Sequence, residues 1–314
     1  MKSVLQYRAT PGFLQQISTL ETEWLRIVIV DEAHTPAFAR EMRDADVLLH
    51  VPEPVRAATI EAAPNLKLIQ KLRIGVDTID LEAARRRGVA VCNMPGTNTR
   101  AVAELTLLLM LASLRRLAEL DAYTRRGQGW CLDARSLDGL SELGGREIGL
   151  VGFGAVGRCL TPMLQGIGGR VVYTDVSEVR DVSATFVSFE DLLSTADVVS
   201  LHLPLTAATS GIMNAASFAS MKRGAIFINT ARGGLVDDVA LLAALESGHL
   251  RGAGLDVFAV EPVGSDNPLV KLPNVIVTPH LAWFTGETLT RSLGVFAENC
   301  RRLRDGQALV NRVV

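Results

Sequence analysis

The sequence predicts two doubly wound α/β domains with parallel sheets, and three observations predict them. Its 314 residues exceed what one ordinary core usually supports. Short β-branched runs alternate with amphipathic stretches, the pattern of a parallel sheet whose strands are joined by helices. A Gly-rich turn, Gly152 to Gly157, stands where a strand-like run gives way to a helical one.

In chain order, the first strands are expected at 27–30, 47–51, 66–72 and 89–92. A long helix is expected over 101–120, which is rich in helix formers, lacks Gly and Pro, and is apolar on most of its circumference. Such a helix is too apolar for a surface and is expected at a domain joint or a subunit contact. After a polar, Gly-rich stretch a second series of strands is expected at 148–153, 171–174, 198–203, 225–229, 252–257 and 275–278. An amphipathic helix over 287–303 closes the pattern.

Composition narrows the function. Apolar residues make up 48% and charged residues 21%, which separates the chain from disordered sequences. A net charge of −2 offers no general attraction to nucleic acid or anionic lipid, so neither is an expected partner. The arginine clusters at 85–87 and 301–302 read as solvated helix faces. Cys92, Cys131, Cys159 and Cys300 are widely spaced with no histidine at ligand spacing, so no metal site and no disulfide framework is expected. The start of the chain lacks the apolar region of a signal peptide, and no apolar run reaches membrane-spanning length, so a cytoplasmic protein is expected.

Gly152, Gly154 and Gly157, with Ala155 and Val156 between the last two, form G-x-G-x-x-G. In such a turn the first Gly permits the bend, the second admits a pyrophosphate, and the third lets helix and strand pack closely. The helix N-terminus then offers free N–H groups to the anion. Asp175 ends the next strand, near the spacing of about 20 residues at which an acid meets the ribose hydroxyls. Together these predict a dinucleotide, and Asp175 predicts NAD over NADP.

Four further blocks occur in a specific order: residues 71–80 (KLRIGVDTID), residues 229–234 (NTARGG), residues 254–258 (GLDVF) with Glu261-Pro262, and Pro279-His280. With them the chain resembles the D-isomer-specific 2-hydroxyacid dehydrogenase family from about residue 45 onward. The resemblance implies a Rossmann nucleotide domain, 99–284, inserted into a flavodoxin-like substrate domain, 1–98 and 285–314. It also implies an active site in the cleft between them and a homodimer formed through the nucleotide domain.

Reducing a 2-keto acid needs a cation for the carboxylate and carbonyl, a proton for the oxygen and a hydride at C2. Arg232 follows the 225–229 strand, where ligands of parallel sheets collect, and a guanidinium can grip a carboxylate with two hydrogen bonds. His280 follows the 275–278 strand, and an imidazole, with an ordinary pKa of about 6.5, suits reversible proton transfer. Glu261 stands where the family carries the acid that pairs with this histidine. The resemblance further implies that His202, Pro204, Thr230, Ala231 and Asp256 border the cofactor, with Asp256 on the nicotinamide carboxamide. It places Ile74, Gly75 and Val76 on the substrate carboxylate and Asn98 near the site. His34, His50 and His249 lie outside every motif and read as surface or packing residues.

Two positions depart from the family. Arg73 stands where relatives commonly have Gly, and Ala155 where many have an Arg on the pyrophosphate. Arg73 stands among the substrate-binding candidates: pointing inward it favours a second anionic group on the substrate, and pointing outward it is a surface side chain, the reading preferred because no partner acid stands nearby in the sequence. Trp283, three residues past His280, is expected to line the wall beside C2 and to read an apolar tail. The same His280-x-x-Trp283 pattern occurs in the C-terminal-binding-protein corepressors, which makes an NAD(H)-sensing interaction protein the alternative reading. A formate dehydrogenase is disfavoured because that branch pairs the histidine with Gln where this chain has Glu261.

Overall fold

The computed structural model describes residues 1–51, 53–132 and 138–314. Contacts divide them into two units, Met1–Asn98 with Trp283–Val314, and Thr99–Ala282. The return to the first unit thus comes at Trp283, two residues before the sequence reading placed it.

The first unit holds β1 (Lys2–Gln6), α1 (Pro11–Ser18), β2 (Arg26–Val30), α2 (Thr35–Met42), β3 (Val47–His50), α3 (Ala57–Glu61), β4 (Leu68–Lys71), α4 (Leu81–Arg87) and β5 (Ala90–Cys92). Its five described strands run parallel in the order β2-β1-β3-β4-β5. The side chains alternate between two cores, as a pleated strand requires. Leu5, Leu49, Leu68 and Cys92 join Phe13, Ile17 and Phe296 on one face. Val4, Leu48, Ile69 and Val91 join Phe38, Met42, Ile60 and Ala83 on the other. Phe296 belongs to α11 (Gly286–Arg304), the amphipathic helix expected over 287–303.

β1 was not expected, although it pairs on both sides within the sheet. Only Ser3, Val4 and Leu5 of it are fully buried, between a half-buried Lys2 and Gln6. So short a run carries no periodicity, and its place is set by the neighbours β2 and β3 that pair with it.

The second unit holds α5 (Thr99–Leu114), α6 (Leu117–Arg125), β6 (Glu147–Val151), α7 (Ala155–Gly166), β7 (Arg170–Thr174), β8 (Thr185–Phe186), α8 (Phe189–Thr195), β9 (Val198–Leu201), α9 (Ala215–Ser220), β10 (Ile226–Asn229), α10 (Asp238–Glu246), β11 (Gly252–Leu255) and β12 (Val275–Val277). Its parallel strands lie in the order β12-β11-β10-β9-β6-β7-β8. Helices cover both faces: α5 and α7 pack on Ile148, Leu150, Tyr173 and Ile228, while α8, α9 and α10 pack on Val151, Leu201, Phe227 and Leu255.

The single helix expected over 101–120 is two. Arg116 takes a left-handed conformation, φ 50°, and the Leu114 carbonyl accepts from the Ser141 N–H at 3.1 Å and the Arg251 guanidinium at 2.9 Å. Those two donors end α5 from outside the segment, where no Gly or Pro in the sequence marks a stop. Nor is α5 buried all round: Ala103, Leu109 and Met110 face the core, while Leu108 and Leu111 are exposed. No helix among the described residues is long and apolar enough to cross a membrane.

Candidate active site

Every motif of the second unit lies at the carboxyl edge of its sheet. Gly152 follows β6, Asp175 follows β7, His202 follows β9, Arg232 follows β10, Asp256 follows β11 and His280 follows β12. This is the edge at which open parallel sheets bind ligands, and the reversal of strand order between β6 and β9 opens the crevice.

The Gly turn fits a dinucleotide phosphate. Gly152 has φ 94°, and a Cβ there would stand 2.7 Å from the His202 carbonyl carbon, so only Gly fits the bend. A Cβ on Gly157 would meet the Gly152 carbonyl oxygen at 3.0 Å, which accounts for the third Gly. At Gly154 a Cβ would meet nothing within 4 Å, so no protein atom demands Gly there and the open space suits an incoming anion. Gly154 also caps α7 without a side-chain hydrogen bond, which keeps the first turn's N–H groups available. Phe153 anchors the turn from below, 1% exposed and stacked on Tyr173 at 3.8 Å.

Asp175 is set by its backbone neighbours. One carboxylate oxygen accepts from the Phe153 N–H at 2.6 Å and the other from the Val176 N–H at 2.7 Å. The Tyr173 hydroxyl accepts from the Val179 N–H at 2.8 Å and holds the segment that follows. A carboxylate has about four acceptor positions, so two remain, enough for a ribose diol. Arg158, which the sequence reading passed over, brings a guanidinium to this turn and donates to the Phe153 carbonyl at 3.2 Å.

Arg232, Glu261 and His280 are joined by a chain of contacts. Asn229, 1% exposed, accepts from the Ala231 N–H at 3.0 Å and donates to the Arg232 carbonyl at 2.9 Å, folding the loop that presents the arginine. Gly233 then lies so close to the next loop that a Cβ would stand 1.9 Å from the Phe258 carbonyl carbon. The Phe258 N–H donates to one Glu261 oxygen at 3.0 Å, and the other Glu261 oxygen meets His280 Nδ1 at 2.7 Å. An ionised carboxylate only accepts, so Nδ1 carries the proton and Nε2 is the nitrogen that can exchange one with a substrate.

His280 itself has φ 54°, a strained conformation for a residue with a side chain. Asp256 holds it there. Its backbone carbonyl accepts the His280 N–H at 2.8 Å, and its carboxylate accepts from Thr278 Oγ1 at 2.5 Å, the Leu281 N–H at 2.9 Å and the Ala282 N–H at 2.9 Å. With no exposure and three of about four acceptor positions used, the Asp256 carboxylate shapes the turn that carries His280.

The other cofactor candidates divide. The backbone of His202 and Leu203 abuts Gly152, while the His202 ring turns to Ser200 Oγ at 2.9 Å, and burial pushes its pKa down to about 4. Pro204 is exposed. Thr230 is buried and faces α5: Thr106 Oγ1 donates to the Val102 carbonyl, so the proton between the two hydroxyls, 2.8 Å apart, comes from Thr230. Ala231 offers its carbonyl to Arg232 Nη1 at 2.7 Å.

In the first unit, Ile74, Gly75 and Val76 form the loop after β4, with Ile74 exposed and its carbonyl held by Asn93 at 2.9 Å. Asn98 is the last residue before the second unit. Trp283 does not stand open to read a tail: it is 3% exposed and packs with Leu289, Leu293 and Phe296. Arg73 is half-buried, with its guanidinium over the Trp283 ring, 4.5 Å from the centroid. Arg-on-Trp stacking is invisible in a sequence because the partners stand far apart in the chain.

His50, at the end of β3, is buried at 3% exposure with Nε2 on the Glu53 carbonyl. Burial, and after it the nearby Lys71 charge, pushes its pKa down to about 3. An unfolded chain takes up this proton below about pH 6.5, and the folded one does not until about pH 3. Unfolded protein therefore binds more protons between those limits, and stability falls as pH drops through the window, by about 2 kcal/mol at pH 5. Thermal melts of the wild type should show this fall, and His50→Gln should flatten it; an unchanged slope would refute the assignment.

Residues 107–282 match the family model described as D-isomer specific 2-hydroxyacid dehydrogenase, NAD binding domain. The chain belongs to the D-isomer specific 2-hydroxyacid dehydrogenase family. It is 37% identical over 278 residues to the glyoxylate reductase of Korarchaeum cryptofilum, covering 87% of this chain and 83% of that protein. It is 40% identical over 275 residues to the D-3-phosphoglycerate dehydrogenase of Mycobacterium leprae, covering 86% of this chain and 51% of that protein, so it spans about half the length of that relative. A solved structure from Thermus thermophilus superposes with a TM-score of 0.91 at 38% identity, covering all of both chains. The family's NAD-binding domain thus falls within the second unit, which carries the Gly turn, Asp175 and the Arg232–Glu261–His280 series.

Proposed function

We propose that the protein is an NAD-dependent enzyme that interconverts a 2-keto acid and its D-2-hydroxy acid. The observation that carries this reading is the His280 Nδ1–Glu261 contact of 2.7 Å on the sheet edge that also carries the dinucleotide turn. Residues 99–282 serve as the nucleotide domain, and 1–98 with 283–314 as the substrate domain. Bound NADH supplies the hydride.

The chain's own residues do the rest. Gly152, Gly154 and Gly157 admit the pyrophosphate, and Asp175 takes the adenosine ribose hydroxyls. Arg232 neutralises the substrate carboxylate and polarises the C2 carbonyl. His280 releases a proton from Nε2 to the carbonyl oxygen in reduction and takes it back in oxidation, while Glu261 fixes the ring through Nδ1. Asp256 and Gly233 act at one remove, by keeping the His280 turn and the Arg232 loop in register.

Loss of NADH absorbance with glyoxylate, hydroxypyruvate, 2-ketobutyrate and oxaloacetate tests the reading. At least one should turn over; NADH binding without turnover of any would overturn it. We also infer a homodimer through the nucleotide domain, supported by exposed Leu108, Leu111, Leu117 and Trp130, and checked by sedimentation.

A further inference from the structure

The dinucleotide turn carries a charge that its glycine pattern does not explain. Arg158 is the fourth residue of α7, directly after Gly157, and its backbone N–H is bonded to the Gly154 carbonyl at 3.1 Å. Side chains on a helix lean toward its N-terminus, so a residue one turn in covers the start of the helix. The exposed Arg158 side chain does so: Nη1 donates to the Phe153 carbonyl at 3.2 Å, inside the turn itself.

A cation is misplaced there by the helix's own electrostatics. The first turn bears the positive end of the dipole, which favours acids and disfavours Lys and Arg. α7 has no acid in its first turn, and no carboxylate among the described residues pairs with Arg158. Asp175, which lies against the same turn, binds the Phe153 and Val176 N–H groups and not this guanidinium. The backbone N–H groups of residues 154–157 have no acceptor among the described residues either. The space beside Gly154 is clear of protein atoms, since a Cβ there would meet nothing within 4 Å. Open N–H groups, the dipole and a guanidinium thus meet at one turn with no negative charge to balance them, and a bound anion supplies it.

We propose that Arg158 is a binding residue for the diphosphate of the dinucleotide. It brings to the turn the one charged side chain of residues 152–158. By holding the Phe153 carbonyl it also fixes the peptide plane whose opposite edge carries the Gly154 N–H. The bond to Phe153 uses one of the guanidinium N–H groups and leaves the others for phosphate oxygens. This contact depends on NAD binding at the turn and not on which keto acid is reduced.

Fluorescence titration of NADH, with ADP-ribose and adenosine as competitors, tests this in wild type, Arg158→Gln and Arg158→Lys. Arg158→Gln should weaken NADH and ADP-ribose by about 10-fold, the lower end of the range for a hydrogen bond to a charged group because the side chain is exposed. Adenosine, which has no phosphate, should bind both proteins equally. Arg158→Lys keeps the charge without the planar fork and should recover part of the loss. Added NaCl should raise the NADH dissociation constant more steeply in wild type than in Arg158→Gln. Thermal melts give a readout without cofactor: Arg158→Gln should melt no lower than wild type, since a cation leaves the positive end of the dipole, while NADH should raise its melting temperature less. An NADH affinity within about twofold of wild type in Arg158→Gln overturns the proposal, as does an equal loss for NADH and adenosine, the mark of a disturbed turn. A wild type that binds no NADH overturns it together with the cofactor reading.

Discussion

His280→Ala lowers kcat by about 10²- to 10⁴-fold, the usual contribution of a positioned general acid, and leaves the dissociation constant for NADH nearly unchanged. The reason is the separation of tasks within one sheet edge. The phosphate turn is held by Gly152, Phe153 and Asp175 at the ends of β6 and β7, and the bonds that pin it, from the Phe153 and Val176 N–H groups to Asp175, lie outside the 256–282 segment. His280 stands beyond β12 at the far end of the sheet, held by Asp256 and Glu261. Removing the ring therefore removes the proton and little else. Glu261→Gln should give a smaller loss, because an amide oxygen still accepts from Nδ1 and keeps the ring in place. Pre-steady-state and steady-state rates with NADH, together with fluorescence titration of NADH, decide it. A His280→Ala enzyme retaining more than half of kcat would remove the residue from the mechanism.

NADH should be preferred over NADPH by at least ~100-fold in kcat/KM. The Asp175 carboxylate is pinned by two backbone N–H groups, at 2.6 and 2.7 Å, and cannot swing away from a 2′-phosphate without breaking both. A phosphate there meets a like charge and displaces the hydrogen bonds of the ribose hydroxyl, each charged one contributing roughly 1.5 to 3 kcal/mol, and about 1.4 kcal/mol is tenfold. Val176 and Ser177, next along the chain, carry no compensating charge. Asp175→Ser should narrow the gap, chiefly by raising the KM for NADH. Equal efficiency with the two cofactors in the wild type would show that Asp175 does not face the ribose.

What was legible in the sequence is what depends on local rules. The glycines at 152, 154 and 157 are dictated by positive φ, open space and close helix packing, conditions that a six-residue pattern records directly. Most strands after β1 announce themselves because parallel strands covered on both faces must be apolar throughout; the two-residue, exposed edge strand β8 was not expected. Family resemblance assigned Arg232, Glu261 and His280 to one function, and the contacts through Gly233 and Phe258 bring the loops that carry them together.

The parts that were not legible depend on partners distant in the chain. β1 is too short to show a period, and is a strand because β2 and β3 pair with it. The break after Leu114 is made by Ser141 and Arg251, which no local stop signal announces. Asp256 reads as a strand-end acid facing a ligand, and its carboxylate also holds Thr278, Leu281 and Ala282, because a left-handed His280 needs its flanking N–H groups held. Trp283 leaves its expected place for the same reason. The indole enters the core built by α11, and the Arg73 guanidinium, which can stack on an aromatic face, covers it. Sequence alone thus determined the architecture, the dinucleotide turn and the identity of the candidate reacting groups. Only the tertiary structure decided which polar side chains turn inward to hold a loop and which turn outward to meet a ligand, since that choice is settled by hydrogen bonds and packing between segments far apart in the chain.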